Sequence, residues 1–250
     1  MTAPVFLADL RGAQPGDSVT VEGPEAAHAH VMRIAAGTRI DLVNGAGCRA
    51  LCTATSVDRE RLIAHVEEVL PDDDGGPQIV LVQALTKHGG DEDAIARATE
   101  CGVDAVIPWA ADRSIAKWPA AKAERAAAKW RTALLAAMKQ SRRARLPHLH
   151  PLATSAALAE RVREAAAGGA TVLVLHEAAT VPLHRVELTA GDVWIVVGPE
   201  GGISDAEREA LTRAGATLVR AGQPVMRAST AGAIGVSHAA RAIGRWEIVD

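Results

Sequence analysis

Two textures of hydrophobic and polar positions divide the 250-residue chain. Over residues 1–70 the apolar residues come in short pieces that alternate with polar ones: Ser18-Val19-Thr20-Val21, Thr38-Arg39-Ile40-Asp41-Leu42-Val43 and Arg61-Leu62-Ile63-Ala64-His65-Val66, with Gly, Asn and Asp between them. Alternation of period two, bounded by turn residues, predicts half-buried strands of a small β-barrel or sandwich. The segment Pro71-Asp72-Asp73-Asp74-Gly75-Gly76-Pro77 disfavours both helix and sheet, so it predicts a linker between one domain over 1–72 and another over 77–250. Beyond it, apolar runs at 79–85, 105–109, 171–176, 193–198 and 217–220 alternate with Ala-rich stretches at 91–101, 120–145, 155–167, 205–214 and 229–245. Strands that are apolar on both faces need cover on both, which predicts an α/β domain with a parallel sheet.

Composition changes this picture little at first. Hydrophobic residues make up 48% of the chain but aromatics only 2%, so the core is expected to be Ala, Val, Leu and Ile, and aromatic platforms for stacking bases are not expected. No apolar run approaches the length of about 20 residues that a membrane helix needs. The N-terminus lacks a basic start followed by a long apolar stretch, so no secretory signal is expected and the chain reads as cytoplasmic. Cys48, Cys52 and Cys101 form no CxxC pair, and His28 and His30 flank Ala29 without a third ligand nearby. Neither a disulfide framework nor a metal site is expected, and the two histidines read as surface or N-cap residues.

Charge changes it more. With 27 basic and 30 acidic residues the net charge is −3, which taken whole argues against a nucleic-acid partner. Residues 113–145, however, hold ten basic side chains against the single acid Glu124, a local +9, leaving 17 basic and 29 acidic residues, or −12, for the rest. On a helix, Trp130, Ala133, Leu134, Ala137 and Met138 fall on one side, with Lys122, Arg125, Lys129, Lys139 and Arg143 on the opposite arc. A solvated face normally mixes both signs, so this one is a candidate surface for phosphate.

Three strand ends carry candidate chemistry. Val193–Val197 runs into Gly198-Pro199-Glu200-Gly201-Gly202, followed by Ser204 and Glu207 in the spacing of a capping box. Glycines there let backbone approach a ligand closely, at the edge where open α/β sheets bind ligands. No Gly-Lys-Ser/Thr follows, which disfavours nucleoside triphosphate chemistry. A second loop, Ala221 to Gly232, leads into the last helix with Ser229 or Thr230 as the expected N-cap, and the third strand end is Leu173-Val174-Leu175-His176-Glu177.

The order Leu175-His176-Glu177, Gly198-Pro199-Glu200-Gly201-Gly202 and Val225-Met226-Arg227-Ala228-Ser229-Thr230-Ala231 resembles the 16S ribosomal RNA uridine-N3 methyltransferases of the SPOUT superfamily. Upstream, His30-Val31-Met32-Arg33, Ala98-Thr99-Glu100-Cys101-Gly102-Val103, Asp112-Arg113-Ser114 and Gln140 to Pro147 are similar to segments of that family in the same order. The resemblance implies an N-terminal PUA-like β-barrel joined to a trefoil-knotted α/β domain, and a homodimer that binds S-adenosyl-L-methionine within the knot. It implies methylation of a uridine in the decoding region of 16S ribosomal RNA, with the RNA or the 30S subunit as partner. Carried over residue by residue, cofactor contacts fall on Leu175, His176, Gly198, Pro199, Glu200, Gly201, Gly202, Val225, Met226 and Arg227. RNA contacts fall on Arg33, Lys87, Arg97, Arg113, Arg142, Arg143 and Arg145. Arg227 is the first catalytic candidate, as an electrostatic group, and Glu200 the second, as a base or as a carboxylate that orients backbone. This chain departs from the family at Ser229, where relatives often carry Glu, at His88-Gly89-Gly90-Asp91 after Lys87, and at Arg97, where Lys is usual. Two further readings are a non-catalytic ribosome-binding or assembly factor and a SPOUT enzyme acting on ribose 2′-hydroxyls.

Overall fold

The computed structural model describes residues 3–70, 76–188 and 191–247. The chain forms two units, Met1–Gly76 with Met138–Leu146, and Pro77–Ala137 with Pro147–Asp250. Of the expected linker, residues 71–75 lie outside the described residues.

The first unit is a five-stranded sheet made of β1 (Val5–Leu7), β2 (Ser18–Glu22), β3 (Arg39–Val43), β4 (Arg49–Val57) and β5 (Arg61–Leu70), with helix α1 (Pro24–Val31) after β2. Its order is β1-β3-β4-β5-β2, and every pair is antiparallel except β1 with β3. Alternate residues face inward, Ala50, Cys52 and Ala54 from β4 and Leu62, Ala64 and Val66 from β5, and they meet Phe6, Ile40 and Leu42 in one core. The three strands expected here are present, and β1, β4 and α1 were not foreseen. In β4 the inward positions are Ala, Cys and Ala, whose small apolar surface gives only a faint alternation. His28 and His30 lie exposed in the last turn of α1, so the surface reading holds and the N-cap reading does not: the cap is Gly23, and Pro stands in the first turn, where a missing N–H costs no hydrogen bond.

The second unit continues with β6 (Ile79–Ala84), α2 (Gly90–Glu100), β7 (Ala105–Ala110), α3 (Ala120–Gln140), β8 (His148–Leu149), β9 (Ala153–Thr154), α4 (Ser155–Ala167), β10 (Thr171–Leu175), β11 (Val181–Pro182), β12 (Val193–Val197), α5 (Asp205–Arg213), β13 (Thr217–Arg220) and α6 (Ala228–Ala242). Every strand pair is parallel, in the order β11-β13-β10-β12-β6-β7-β8, with β9 beside β7. All six residues of β6 are buried, because Val80 and Val82 join the core that includes Leu158 and Val162 of α4 while Leu81 lies against α6. Helix α6 comes so close to the sheet that a methyl group on Gly235 would stand 2.6 Å from Ile195. Arg245, just past α6, donates to Asp104 (2.6 Å) and to the carbonyls of Gly102 (3.1 Å) and Pro77 (2.5 Å), tying the end of the unit to its beginning.

One expected helix ends early. The stretch 120–145 stops as α3 at Gln140, and Met138–Leu146 belongs with the first unit. Arg142 N–H donates to Lys139 O and Arg143 N–H to Met138 O, a Schellman motif with Arg142 at φ 58° in the position that usually takes Gly. The same motif ends α1, with Arg33 at φ 57°. Lys139, expected on the outer basic arc, instead pairs with Glu25 at 2.5 Å and is largely buried. No helix among the described residues is long and apolar enough to cross a membrane.

Candidate active site

A cavity of ≈ 760 Å³ opens at the C-terminal ends of β6, β10 and β12. Parallel strands point their carboxyl ends the same way, so loops far apart in sequence converge there. One wall is Leu175 to Glu177, a second is Val197 to Ile203, and a third is Val225 to Ser229 with Ala231. A fourth is Thr86, Lys87, His88 and Gly90, with Asp93 and Arg113 beside it. All ten positions carried over as cofactor contacts therefore line one cavity, together with Lys87 and Arg113 of the RNA set.

The glycine loop is fixed by its own backbone and by its neighbours. Gly202 N–H donates to Pro199 O (2.9 Å), closing a turn, and Gly202 sits at φ 75°, where a side chain is strained. A methyl group on Gly201 would stand 3.1 Å from Arg113 Cβ and 3.2 Å from its carbonyl oxygen, so a side chain here would have to push the two segments apart by a few tenths of an ångström. Arg113 also donates to Gly201 O at 3.3 Å. Glu200 accepts the backbone N–H of Lys87 (3.0 Å), which joins the glycine loop to the loop after β6. His176 N–H donates to Val219 O (2.9 Å), and its Nδ1 accepts Ala178 N–H (3.2 Å), which leaves Nε2 as the ring's remaining polar atom.

The third wall ends at a helix start. Arg227, exposed, is the N-cap of α6, and no side chain caps that end; neither Ser229 nor Thr230 does so, because the helical hydrogen bonds already begin from Arg227 O to Thr230 and Ala231 N–H. The cavity thus meets a guanidinium and the uncapped N–H groups of a 15-residue helix, a place that favours negative charge. Val225, 81% exposed, forms an apolar lip beside them.

The other RNA candidates lie elsewhere. Arg97 reaches Ser229 O at the 3.5 Å limit of a hydrogen bond and pairs with Asp93 (3.8 Å). Arg33, Arg142, Arg143 and Arg145 are in the first unit, with Arg33 and Arg142 exposed. Thr86 carries no signal in the sequence, and His88 and Gly90 stand out there only as departures from the family, although the rule that ligands bind beyond strand C-termini applies to the loop after 79–85 as well. Among the described residues, no group of three His, Cys, Asp or Glu side chains could hold a metal ion.

A family profile described as an RNA methyltransferase domain matches residues 75–240, and one described as an RNA methyltransferase PUA domain matches residues 21–67. The ribosomal RNA small subunit methyltransferase E of Mycobacterium bovis is 39% identical over 249 residues, covering 99% of this chain and 95% of the relative. Among solved structures, a ribosomal RNA small subunit methyltransferase E from Neisseria gonorrhoeae bound to S-adenosyl methionine superposes with a TM-score of 0.85 at 22% identity, covering 98% of this chain and 100% of the other. A methyltransferase from Legionella pneumophila in complex with the same cofactor gives 0.82 at 24% identity, covering 97% and 98%. These likenesses give the fold, and the two profiles make it a PUA unit followed by an α/β RNA methyltransferase unit.

Proposed function

The chain belongs to the RNA methyltransferase family that includes the ribosomal RNA small subunit methyltransferases E, and on that premise we propose that it methylates N3 of a uridine in the decoding region of 16S ribosomal RNA, with S-adenosylmethionine as donor. The observation that carries this reading is the convergence of Leu175–His176, Gly198–Gly202 and Val225–Arg227 on a single cavity. The cavity fits a cofactor of this size, since ligand pockets commonly span about 300–1,000 Å³. Its glycine loop presents bare backbone, its lip is apolar, and the strand ends supply N–H and C=O groups that can orient a polar molecule.

S-adenosylmethionine, when bound, supplies an electrophilic sulfonium methyl. Uracil N3 carries a proton at neutral pH and becomes a nucleophile only as that proton leaves, which spreads negative charge over the ring and its two carbonyls. In this reading Arg227 and the first-turn N–H groups of α6 stabilise that charge, which their position at an uncapped helix start supports. Glu200 already holds Lys87, so in this reading its carboxylate keeps two loops together and leaves the electrostatic work to Arg227.

Nuclease digestion and mass spectrometry of small-subunit RNA incubated with protein and cofactor test the reaction and its atom together. The expected product is 3-methyluridine. A 2′-O-methylnucleoside, or no methylation at all, overturns the assignment.

In the same reading Arg33 and Arg142 hold RNA backbone. Each occupies a left-handed position that costs a non-glycine residue roughly 1 kcal/mol. Arg33→Gly and Arg142→Gly are therefore expected to keep or slightly raise the melting temperature while weakening RNA binding and flattening its dependence on salt by about one ion per arginine. Unchanged salt dependence in both variants removes them from the RNA interface.

A further inference from the structure

Glu207 does more than cap a helix. Its Oε2 accepts Ser204 N–H (2.9 Å) while Ser204 Oγ accepts Glu207 N–H (3.2 Å), which completes the capping box of α5. Capping boxes usually sit at the surface, where water completes the carboxylate's bonding, yet Glu207 is only 3% exposed. A carboxylate that deep persists only when protein donors replace the water. Oε1 takes two of them: Ser155 Oγ–H at 2.6 Å, and Asp112 N–H, more than ninety residues back in the chain, at 2.7 Å. Ser204 Oγ in turn donates to Asp112 Oδ2 (2.8 Å). The box is thus latched twice to the segment that follows β7.

The next residue in that segment is Arg113. Its Cβ and carbonyl oxygen stand against Gly201, and its guanidinium reaches Gly201 O, so the latch decides where this exposed cation stands along the cavity rim. We infer that Glu207 is a positioning residue for methyl transfer: through the Asp112 backbone it holds Arg113 over the glycine loop, where the guanidinium meets a phosphate of the incoming RNA. This rests on the methyltransferase reading above and adds to it a residue that the RNA never touches.

The test is a double-mutant cycle on methyl transfer to small-subunit RNA, with cofactor affinity measured by calorimetry. Arg113→Ala and Glu207→Ala are each expected to raise KM for RNA about tenfold, as loss of a charge-assisted contact does, while cofactor affinity stays within about threefold. The double variant is expected to be no worse than Arg113→Ala alone. Glu207→Gln, which keeps an acceptor for Asp112 N–H, is expected to recover most of the loss. A merely structural glutamate predicts the opposite: losses that multiply to about a hundredfold, or a lower melting temperature with unchanged KM. Either result overturns the proposal. If Glu207→Ala does not fold, Ser204→Ala removes one of the two latches, the bond to the Asp112 carboxylate, while sparing Glu207 and its bond to Asp112 N–H, and its smaller loss must vanish in the Arg113→Ala background. Absence of transfer by the wild-type protein is a separate outcome, which removes the methyltransferase reading itself.

Discussion

Arg227→Ala is expected to lower the rate of methyl transfer about 100- to 1,000-fold while leaving cofactor affinity within a few-fold. The magnitude is that of removing one preorganised donor from a site where charge develops. The variant is clean for a structural reason. Arg227 is the N-cap of α6 but makes no side-chain capping bond, so replacing it removes a charge from the cavity without removing a support from the helix. Alanine at this position leaves the backbone hydrogen bonds from residue 227 to Thr230 and Ala231 intact. Arg227→Lys keeps the charge but loses the planar fork, and an intermediate loss of about tenfold is expected. Transfer of a tritiated methyl group to small-subunit RNA measures the rates, and wild-type turnover by Arg227→Ala takes this residue out of the chemistry.

Gly202→Val is expected to weaken cofactor binding about 10- to 100-fold by calorimetry. Its φ of 75° is strained for any side chain and most of all for a β-branched one, at roughly 1–3 kcal/mol. The turn that Gly202 closes onto Pro199 relieves that strain only by moving the wall of the cavity. Gly12 provides the control, since it has nearly the same φ, 72°, lies in the first unit and has open space around it. Gly12→Val carries similar backbone strain and is expected to leave cofactor affinity unchanged. Equal affinity in Gly202→Val and the wild type excludes the loop as a cofactor cradle.

Much of this arrangement can be read from residues alone, where local chemistry and global packing agree. The Ala-rich stretch 155–167 coincides with α4, whose start Thr154 fixes by accepting Ala157 N–H, and the Ser204/Glu207 capping box is visible from its spacing. Two of the cavity loops, 198–202 and 221–232, announce themselves by glycines and helix starts after apolar runs, whereas Leu175-His176-Glu177 carries neither signal. What the chain conceals depends on partners distant in sequence. The helix over 120–145 carries good helix formers to its end, and nothing local marks Arg142 as the left-handed residue that stops it. Lys139 looks like one more outward cation until Glu25 arrives beside it. The carboxylate of Glu207 looks like an ordinary cap, and its second task depends on Asp112.

The wholly parallel sheet also governs how the site comes into being. None of its strand pairs can be closed by a hairpin, and β6 meets β12 across 114 residues. Closing a loop of that length costs about 4 kcal/mol of chain entropy before any contact repays it. The cavity lies at that seam, so a collapsed intermediate lacking the β6–β12 pairing has helices and a partial core but no place for a ligand. A molecule that binds across these strand ends engages only the finished topology, and it acts on folding as a ratchet that slows reopening of the longest strand pairing in the sheet.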